Sequence, residues 1–376
     1  MNYIPRRVEK NIKERLFQGK LIILYGARQV GKTTLVKRIL GEHEHESAYF
    51  NCELMSVQKG LSELEAEKLK GFLGEHKIVI LDEAQNIPDI GKALKILVDT
   101  YPDMQIIATG SSSFDLAQKI SEPMTGRTFT FMLYPLSLAE IKQGDGWSGI
   151  EAHLETLLRF GGYPDVFDRA ERDAAERLDE IVSKYLYKDI LAFEGIKKSS
   201  VIKQLLELLA LQIGNEVSYN ELANALGINR VTVQKYIDIL EEAFIVFRLR
   251  AFSRNKRNEI AKSVKIYFYD VGVRNSIIQN YNRLSIRDDV GALWENFCIA
   301  ERIKRNDYTR NNANYYFWRT YTQQEIDFIE EREGKLFAYE FKWKKGSAKP
   351  PKAFLETYAN ATFTVVNLDS YREFLS

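Results

Sequence analysis

Cysteine is nearly absent: Cys52 and Cys298 are the only two among 376 residues. They lie too far apart in sequence for a metal-ligand spacing, and two thiols make no disulfide framework. A reducing cytoplasm is the expected setting. Long apolar runs are missing as well. No stretch approaches the roughly 20 apolar residues of a membrane-spanning helix, so no membrane partner is expected. The opening MNYIPRRVEKNIKERLFQGK is charged throughout and has no apolar segment of the signal-peptide kind. Net charge is also lacking, with 53 Lys+Arg against 52 Asp+Glu and a balance of +1. Such a chain has no global field to steer it toward nucleic acid, and any basic surface must be local. Internal repeats and low-complexity linkers are not seen. What remains is an ordinary globular mixture, 45% hydrophobic and 28% charged. Its length exceeds one typical core, so two or three domains are expected.

What is present begins with KLIILYGARQVGKTTLVKRIL, which reads as strand, glycine-bearing loop and helix. Gly26 to Thr33 matches G-x-x-x-x-G-K-[ST] at every fixed position. The glycines let backbone N–H groups turn inward around phosphate oxygens, and the helix aims its positive end at the same anion. Gly26, Ala27, Arg28, Gln29, Val30, Gly31, Lys32, Thr33 and Thr34 are therefore expected to hold ATP. Lys32 would reach the β- and γ-phosphates, and Thr33 would ligate Mg²⁺. A second strand, in HKIVILDEAQ, ends in Asp82-Glu83, at the edge where open α/β sheets bind ligands. Asp82 is assigned to Mg²⁺ through water. Glu83 is assigned to the attacking water, with a helix N-terminal acid as the alternative. A third strand, MQIIATGSSS, ends in Thr109 and Ser111, either γ-phosphate contacts or parts of a strand-to-helix turn. Arg127, between a glycine and a strand, reads as an arginine finger or as a surface charge.

The segments GARQVGKTTL, VILDEAQ, TGSSS, GRTFTFMLYPLSLAE and FGGYPDVF together resemble the AAA-family ATPases of bacteria and archaea that carry a C-terminal domain of unknown function. The resemblance runs over nearly the whole chain, most specifically in the first half. It implies an α/β P-loop NTPase core with a parallel sheet (residues 1–145); the mainly helical pattern that follows, broken at Gly161-Gly162 and Pro164, reads from the residues as a helical lid (146–200). A winged helix-turn-helix (201–262) and a small α+β restriction-endonuclease-like domain similar to PD-(D/E)XK nucleases (263–376) would follow.

The residues of the second half support a matching reading. VSYNELANALGINRVTVQKYIDIL holds two helical segments joined at Gly227, with Asn229 as a cap of the second. Val233, Ile237 and Leu240 share an inward face. Arg230, Thr232, Gln234 and Lys235 would face double-stranded DNA. Arg248, Arg250, Arg254, Lys256, Arg257, Lys262 and Lys265 stand against one acid, Glu259, which reads as a basic wing on phosphates. Packing between domains is the alternative use of such a motif. EIDFIEEREGKLFAYEFKW alternates as two strands. A two-residue turn at Glu333-Gly334 would pair Arg332 with Lys335 and set Asp327 opposite Glu340; a three-residue turn would separate them. Two carboxylates so placed need a cation. Asp327 and Glu340 are candidate Mg²⁺ ligands, with Lys342 orienting a nucleophile; the alternative is an exposed hairpin with complementary charges, or a nuclease-like fold that only binds. The nuclease resemblance adds Glu295 as a further acid. It usually places Pro before the first Asp, where this chain has Glu325-Ile326.

The expectation is thus an ATP-hydrolysing protein with a DNA-reading segment and a nuclease-like tail. The alternative is a nucleotide-controlled binding switch or transcription regulator with little turnover. A second copy of the chain or another protein is admitted as a partner.

Overall fold

The computed structural model describes residues 3–111, 125–192, 199–252, 264–320, 322–344 and 346–376. Arg254, Lys256, Arg257, Glu259 and Lys262 of the expected wing lie outside the described residues. The chain divides into two compact units, Tyr3–Tyr134 with Glu242–Phe244, and Pro135–Glu241 with Ile245–Ser376.

The first unit is built on five parallel strands: β1 (Leu21–Tyr25), β2 (Ser47–Asn51), β3 (Ile78–Asp82), β4 (Gln105–Gly110) and β5 (Thr128–Met132). Their order in the sheet is β2-β3-β4-β1-β5. Every residue of β1, β3 and β4 is buried, as continuous apolar runs covered on both faces should be. The order sets up the chemistry. β4 lies between the glycine-loop strand β1 and the acid-bearing strand β3, so the polar end of β4 falls between those two ends.

In the second unit seven strands form one sheet: β6 (Glu216–Val217), β7 (Val246–Ala251), β8 (Val264–Phe268), β9 (Asn314–Arg319), β10 (Glu325–Arg332), β11 (Lys335–Phe341) and β12 (Ala361–Val366). They are ordered β12-β11-β10-β9-β7-β8-β6. The sheet is continuous across the 262/263 boundary expected from the sequence, because β7 pairs with β8 on one side and with β9 on the other. The helix Val290–Tyr308 precedes β9 to β11, and the helix Lys352–Thr357 joins β11 to the parallel β12.

The β10–β11 hairpin has the two-residue turn. Arg332 pairs with Lys335 and Phe328 with Tyr339, and both Glu333 (φ 49°) and Gly334 (φ 74°) are left-handed, as a type I′ turn requires. One feature departs from strict alternation. The β9–β10 register shifts between Ile326 and Ile329. Both of these residues enter the cluster around Trp318 and Phe354, while Phe328 stacks on Tyr315. A bulge reassigns side chains to faces in this way.

The segment FGGYPDVF proves to be a close backbone approach. The helix Leu138–Phe160 stops at Gly161 (φ 75°), and a Cβ there would lie 2.0 Å from Asp270 Oδ1. Asp270 Oδ2 accepts the Gly162 N–H at 2.7 Å, and Oδ1 accepts the Val273 N–H that starts the next helix. Gly161→Ala therefore combines a positive φ with a clash against a buried carboxylate. It is expected to cost on the order of 2–4 kcal/mol, read as a lowered denaturant midpoint with an unchanged slope.

Candidate functional site

The glycine loop leaves β1 at Gly26, whose φ is 155° and whose Cβ, if it had one, would sit 2.2 Å from the Leu133 carbonyl oxygen. Only glycine fits there. Gln29 (φ 65°) and Gly31 (φ 99°) carry the chain round to the helix Lys32–Gly41. Ala27 and Val30 are buried, Arg28 is half-buried, and Gln29 and Thr34 are exposed. The loop is clamped by a residue that sequence reading did not single out. Buried Arg6 donates to the Val30 carbonyl at 2.7 Å and to the Tyr134 carbonyl at 2.5 Å. No local motif marks Arg6, since its partners are 24 and 128 residues away.

Lys32 is buried, and its ammonium donates to Gly26 O at 2.8 Å and Ala27 O at 3.1 Å. It lies 3.9 Å from Glu83 Oε1. An arriving phosphate would exchange the carbonyl bonds for bonds to its own oxygens. Asp82 collects three hydroxyl donors: Thr33 at 2.7 Å, Tyr49 at 2.6 Å, and Thr109. Tyr49 is a second unforeseen member, brought in because β2 runs parallel beside β3. Burial and the bond to Asp82 push its phenol pKa up, keeping it a donor. Glu83 adopts a left-handed backbone (φ 56°) immediately after β3. Its N–H donates to Thr109 Oγ1 at 3.0 Å, and its Oε2 accepts from Gln85 at 2.6 Å. Gln85 also reaches Ser111 Oγ at 3.2 Å. Thr109 and Ser111 are thus brought to the acids, and Gln85 joins them. Thr33 beside Asp82, one hydroxyl and one carboxylate at the loop's helix start, is a donor set that suits Mg²⁺ carrying its own waters.

Arg127 is placed at the other edge of the sheet, away from this chain's own glycine loop. It precedes β5, and its carbonyl accepts from Leu21 N, the first residue of β1. A five-residue strand, about 17 Å, separates that edge from the glycine loop. Its guanidinium is half-exposed and donates to Asp99 at 2.6 Å.

In the second unit, helices Tyr219–Leu226 and Arg230–Glu242 flank a left-handed Gly227. Val233, Ile237 and Leu240 are buried, while Arg230, Gln234 and Lys235 are exposed. Thr232 is half-buried and occupied by the cap, its N–H and hydroxyl both donating to Asn229 Oδ1. Two basic residues assigned to the wing are spent internally. Arg248 is ion-paired with Asp238 at 2.7 Å and with Glu241. Lys265 is buried in the tail's acidic cluster.

That cluster does assemble. The hairpin pairs Phe328 with Tyr339, the neighbours of Asp327 and Glu340, and Lys342 lies 2.7 Å from Glu340. Asp327 Oδ2 accepts the Phe341 N–H at 2.8 Å. Burial, then Glu295 and Glu340, raise the Asp327 pKa well above the usual carboxylate range. Glu295 belongs to the same neighbourhood, but its Oε1 is taken. Tyr267 donates to it at 2.5 Å and Lys265 at 3.3 Å. Burial raises the Glu295 pKa, and Lys265 opposes that rise. Lys265 also pairs with Glu325. Burial lowers the Lys265 pKa, but Glu295, Asp327 and Glu325 outweigh burial and leave it raised. Among the described residues no group of three or more His, Cys, Asp or Glu side chains is arranged to hold a metal ion. Glu295, Asp327 and Glu340 therefore do not close into a three-acid metal site in this arrangement. Lys265, Tyr267 and Glu325 were not foreseen as members.

Comparison with known proteins bears on each part. Residues 18–142 match the family described as an AAA domain. Residues 151–284 and 290–372 match two domains of unknown function, DUF8612 and DUF4143. An uncharacterized protein of Mycobacterium tuberculosis is 29% identical over 342 residues, covering 90% of this chain and 73% of that protein. One from Methanocaldococcus jannaschii is 27% identical over 350 residues, covering 87% and 76%. Among solved structures, a Walker-type ATPase of Pyrococcus abyssi aligns with a TM-score of 0.51 at 16% identity, covering 73% of this chain and 96% of that one. No helix among the described residues is long and apolar enough to cross a membrane. The parallel sheet, the glycine loop and the match over residues 18–142 agree: the first unit has a parallel-sheet α/β P-loop fold similar to the AAA domain.

Proposed function

We propose that this protein hydrolyses ATP at the glycine loop, with Glu83 as the residue that activates water. The observation that carries this reading is the convergence of Lys32, Glu83 and the Thr33–Asp82 pair at one end of the sheet, with Lys32 Nζ 3.9 Å from Glu83 Oε1. Lys32 and the loop N–H groups would hold the β- and γ-phosphates. Mg²⁺, held through Thr33 and Asp82, would supply charge neutralisation on the phosphate oxygens when bound. Glu83 would take the proton of the attacking water as the oxygen bonds to the γ-phosphorus and the bond to ADP breaks. Its carboxylate is steadied for this by Gln85, and its backbone by Thr109. Only as a contribution to a second copy's site would Arg127 act on phosphate.

A second reading, DNA contact by the helix Arg230–Glu242, is favoured by the exposure of Arg230, Gln234 and Lys235 on its outer face. The helix–three strands–helix–parallel strand order of residues 290–366 supports a restriction-endonuclease-like fold for the tail.

Calorimetry should find ATP·Mg²⁺ binding in the parent and none in Lys32→Ala; equal affinity in both would overturn the assignment of the loop. Glu83→Gln should keep that binding and lose on the order of 100-fold or more in phosphate release, so undiminished release would remove Glu83 from the mechanism. For the second reading, the double change Arg230→Ala and Lys235→Ala should weaken duplex DNA binding and flatten its salt dependence by a slope of up to about 2. A parent protein with no DNA affinity at low salt rules the reader role out.

A further inference from the structure

The acidic cluster of the second unit already contains a cation, and that cation is covalently part of the chain. Lys265 sits on β8, where it pairs with Glu216 of β6 on one side and Leu249 of β7 on the other. Its side chain is 2% exposed. Its ammonium lies 3.3 Å from Glu295 Oε1, is ion-paired with Glu325, and stands 5.6 Å from the centre of the Phe317 ring. The other oxygen of Glu325 faces Arg319 at 3.8 Å. We propose that Lys265 is the permanent counter-ion of this cluster, so that the tail takes up neither Mg²⁺ nor Mn²⁺ and does not cut nucleic acid.

Three physical arguments support this. A divalent ion held here through its own waters would still need one or two free carboxylate oxygens. Here Glu295 Oε1 is held by an ammonium and a phenol, Glu340 Oε1 by Lys342, and Asp327 Oδ2 by a backbone N–H. A second cation beside the Lys265 ammonium would meet like-charge repulsion in a partly dehydrated site. Finally, Lys265 has no inexpensive way out. Its backbone is paired on both edges, and withdrawing the side chain would leave a buried carboxylate with an uncompensated charge. The clasp has a positive role too. It joins β8 to the helix Val290–Tyr308 and to β10, tying the strands beside the helix-turn-helix to the tail as one sheet.

The test uses the full chain without nucleotide and Mn²⁺ as the probe, counted by electron paramagnetic resonance. Parent and Asp327→Asn share the same glycine loop, so any Mn²⁺ held there cancels between them. The two proteins should bind Mn²⁺ equally, and neither should nick supercoiled plasmid in Mn²⁺. Lys265→Met should gain one equivalent of Mn²⁺ that the double variant Lys265→Met/Asp327→Asn loses again. Parent binding in excess of Asp327→Asn, or nicking that Asp327→Asn abolishes, overturns the proposal. So does a folded Lys265→Met that gains no site. If Lys265→Met does not fold, the comparison of parent with Asp327→Asn still decides. None of these readouts depends on ATP hydrolysis, so the outcome is separate from that of the glycine-loop assignment.

Discussion

Asp82 is the point on which the first unit's site depends. Its carboxylate accepts hydroxyls from three different elements: Thr33 of the loop helix, Tyr49 of β2 and Thr109 of β4. Hydrogen bonds to a charged group contribute roughly 1.5–3 kcal/mol each, net of water. Their main effect here is positional. They tie the ends of neighbouring strands to the first turn of the helix that follows the glycine loop. Glu83, the next residue, inherits that fixed position, and its left-handed backbone turns it out of the strand direction toward Lys32. The nearby thiol of Cys52 is kept inert by the same surroundings. Burial, then Asp82 and Glu83, push its pKa up to about 12.

The second unit solves a related problem with buried ion pairs. Glu330 is wholly buried, and Arg302 holds both of its oxygens, at 2.8 and 2.9 Å, while Asn306 donates to Oε1 at 2.6 Å. Lys265 with Glu295 and Glu325 is the second such pairing. Buried pairs of this kind are poor sources of net stability, because desolvation offsets most of the attraction. They are, however, highly position-specific, since a displaced partner leaves a bare charge behind. Both pairings reach from β10 to other elements, Arg302–Glu330 to the helix Val290–Tyr308 and Lys265–Glu325 to β8.

Legibility followed sequence distance. The glycine loop could be read because strand, loop and helix are contiguous and every requirement is local. The Glu333-Gly334 turn could be read for the same reason, and it carried the register up to Phe328–Tyr339 with it. Arg6, Tyr49 and Lys265 could not be found this way, because each acquires its role from partners that only the sheet order brings near. Where Arg127 would lie relative to the glycine loop took one more step of reading. The glycine and strand around it are real, but a parallel sheet has a loop edge and an opposite edge, and Arg127 enters β5 from the wrong one. The FGGYPDVF segment was legible as a helix break. Its cause, the Asp270 carboxylate pressed against Gly161, lies 109 residues away. The β10 bulge left no mark in a pattern that reads as alternating.

The same reasoning bears on charge. A window from Arg248 to Lys265 holds seven basic residues against one acid, which on paper is a strong electrostatic face. Its two ends are removed from that face by the fold: Arg248 by Asp238 and Glu241, Lys265 by Glu295 and Glu325. All four acids lie outside the window, at positions a linear count does not weigh. Surface field depends on charges that remain in water after partners have been found, so a count of basic residues along a strand gives only an upper bound. A strand is especially prone to this error, because alternate residues face opposite sides and half of a basic run can be turned inward. Among the described residues of this window, Lys265 is turned to Glu295 and Glu325 and Arg248 to Asp238 and Glu241, so neither charge is left to face a nucleic acid.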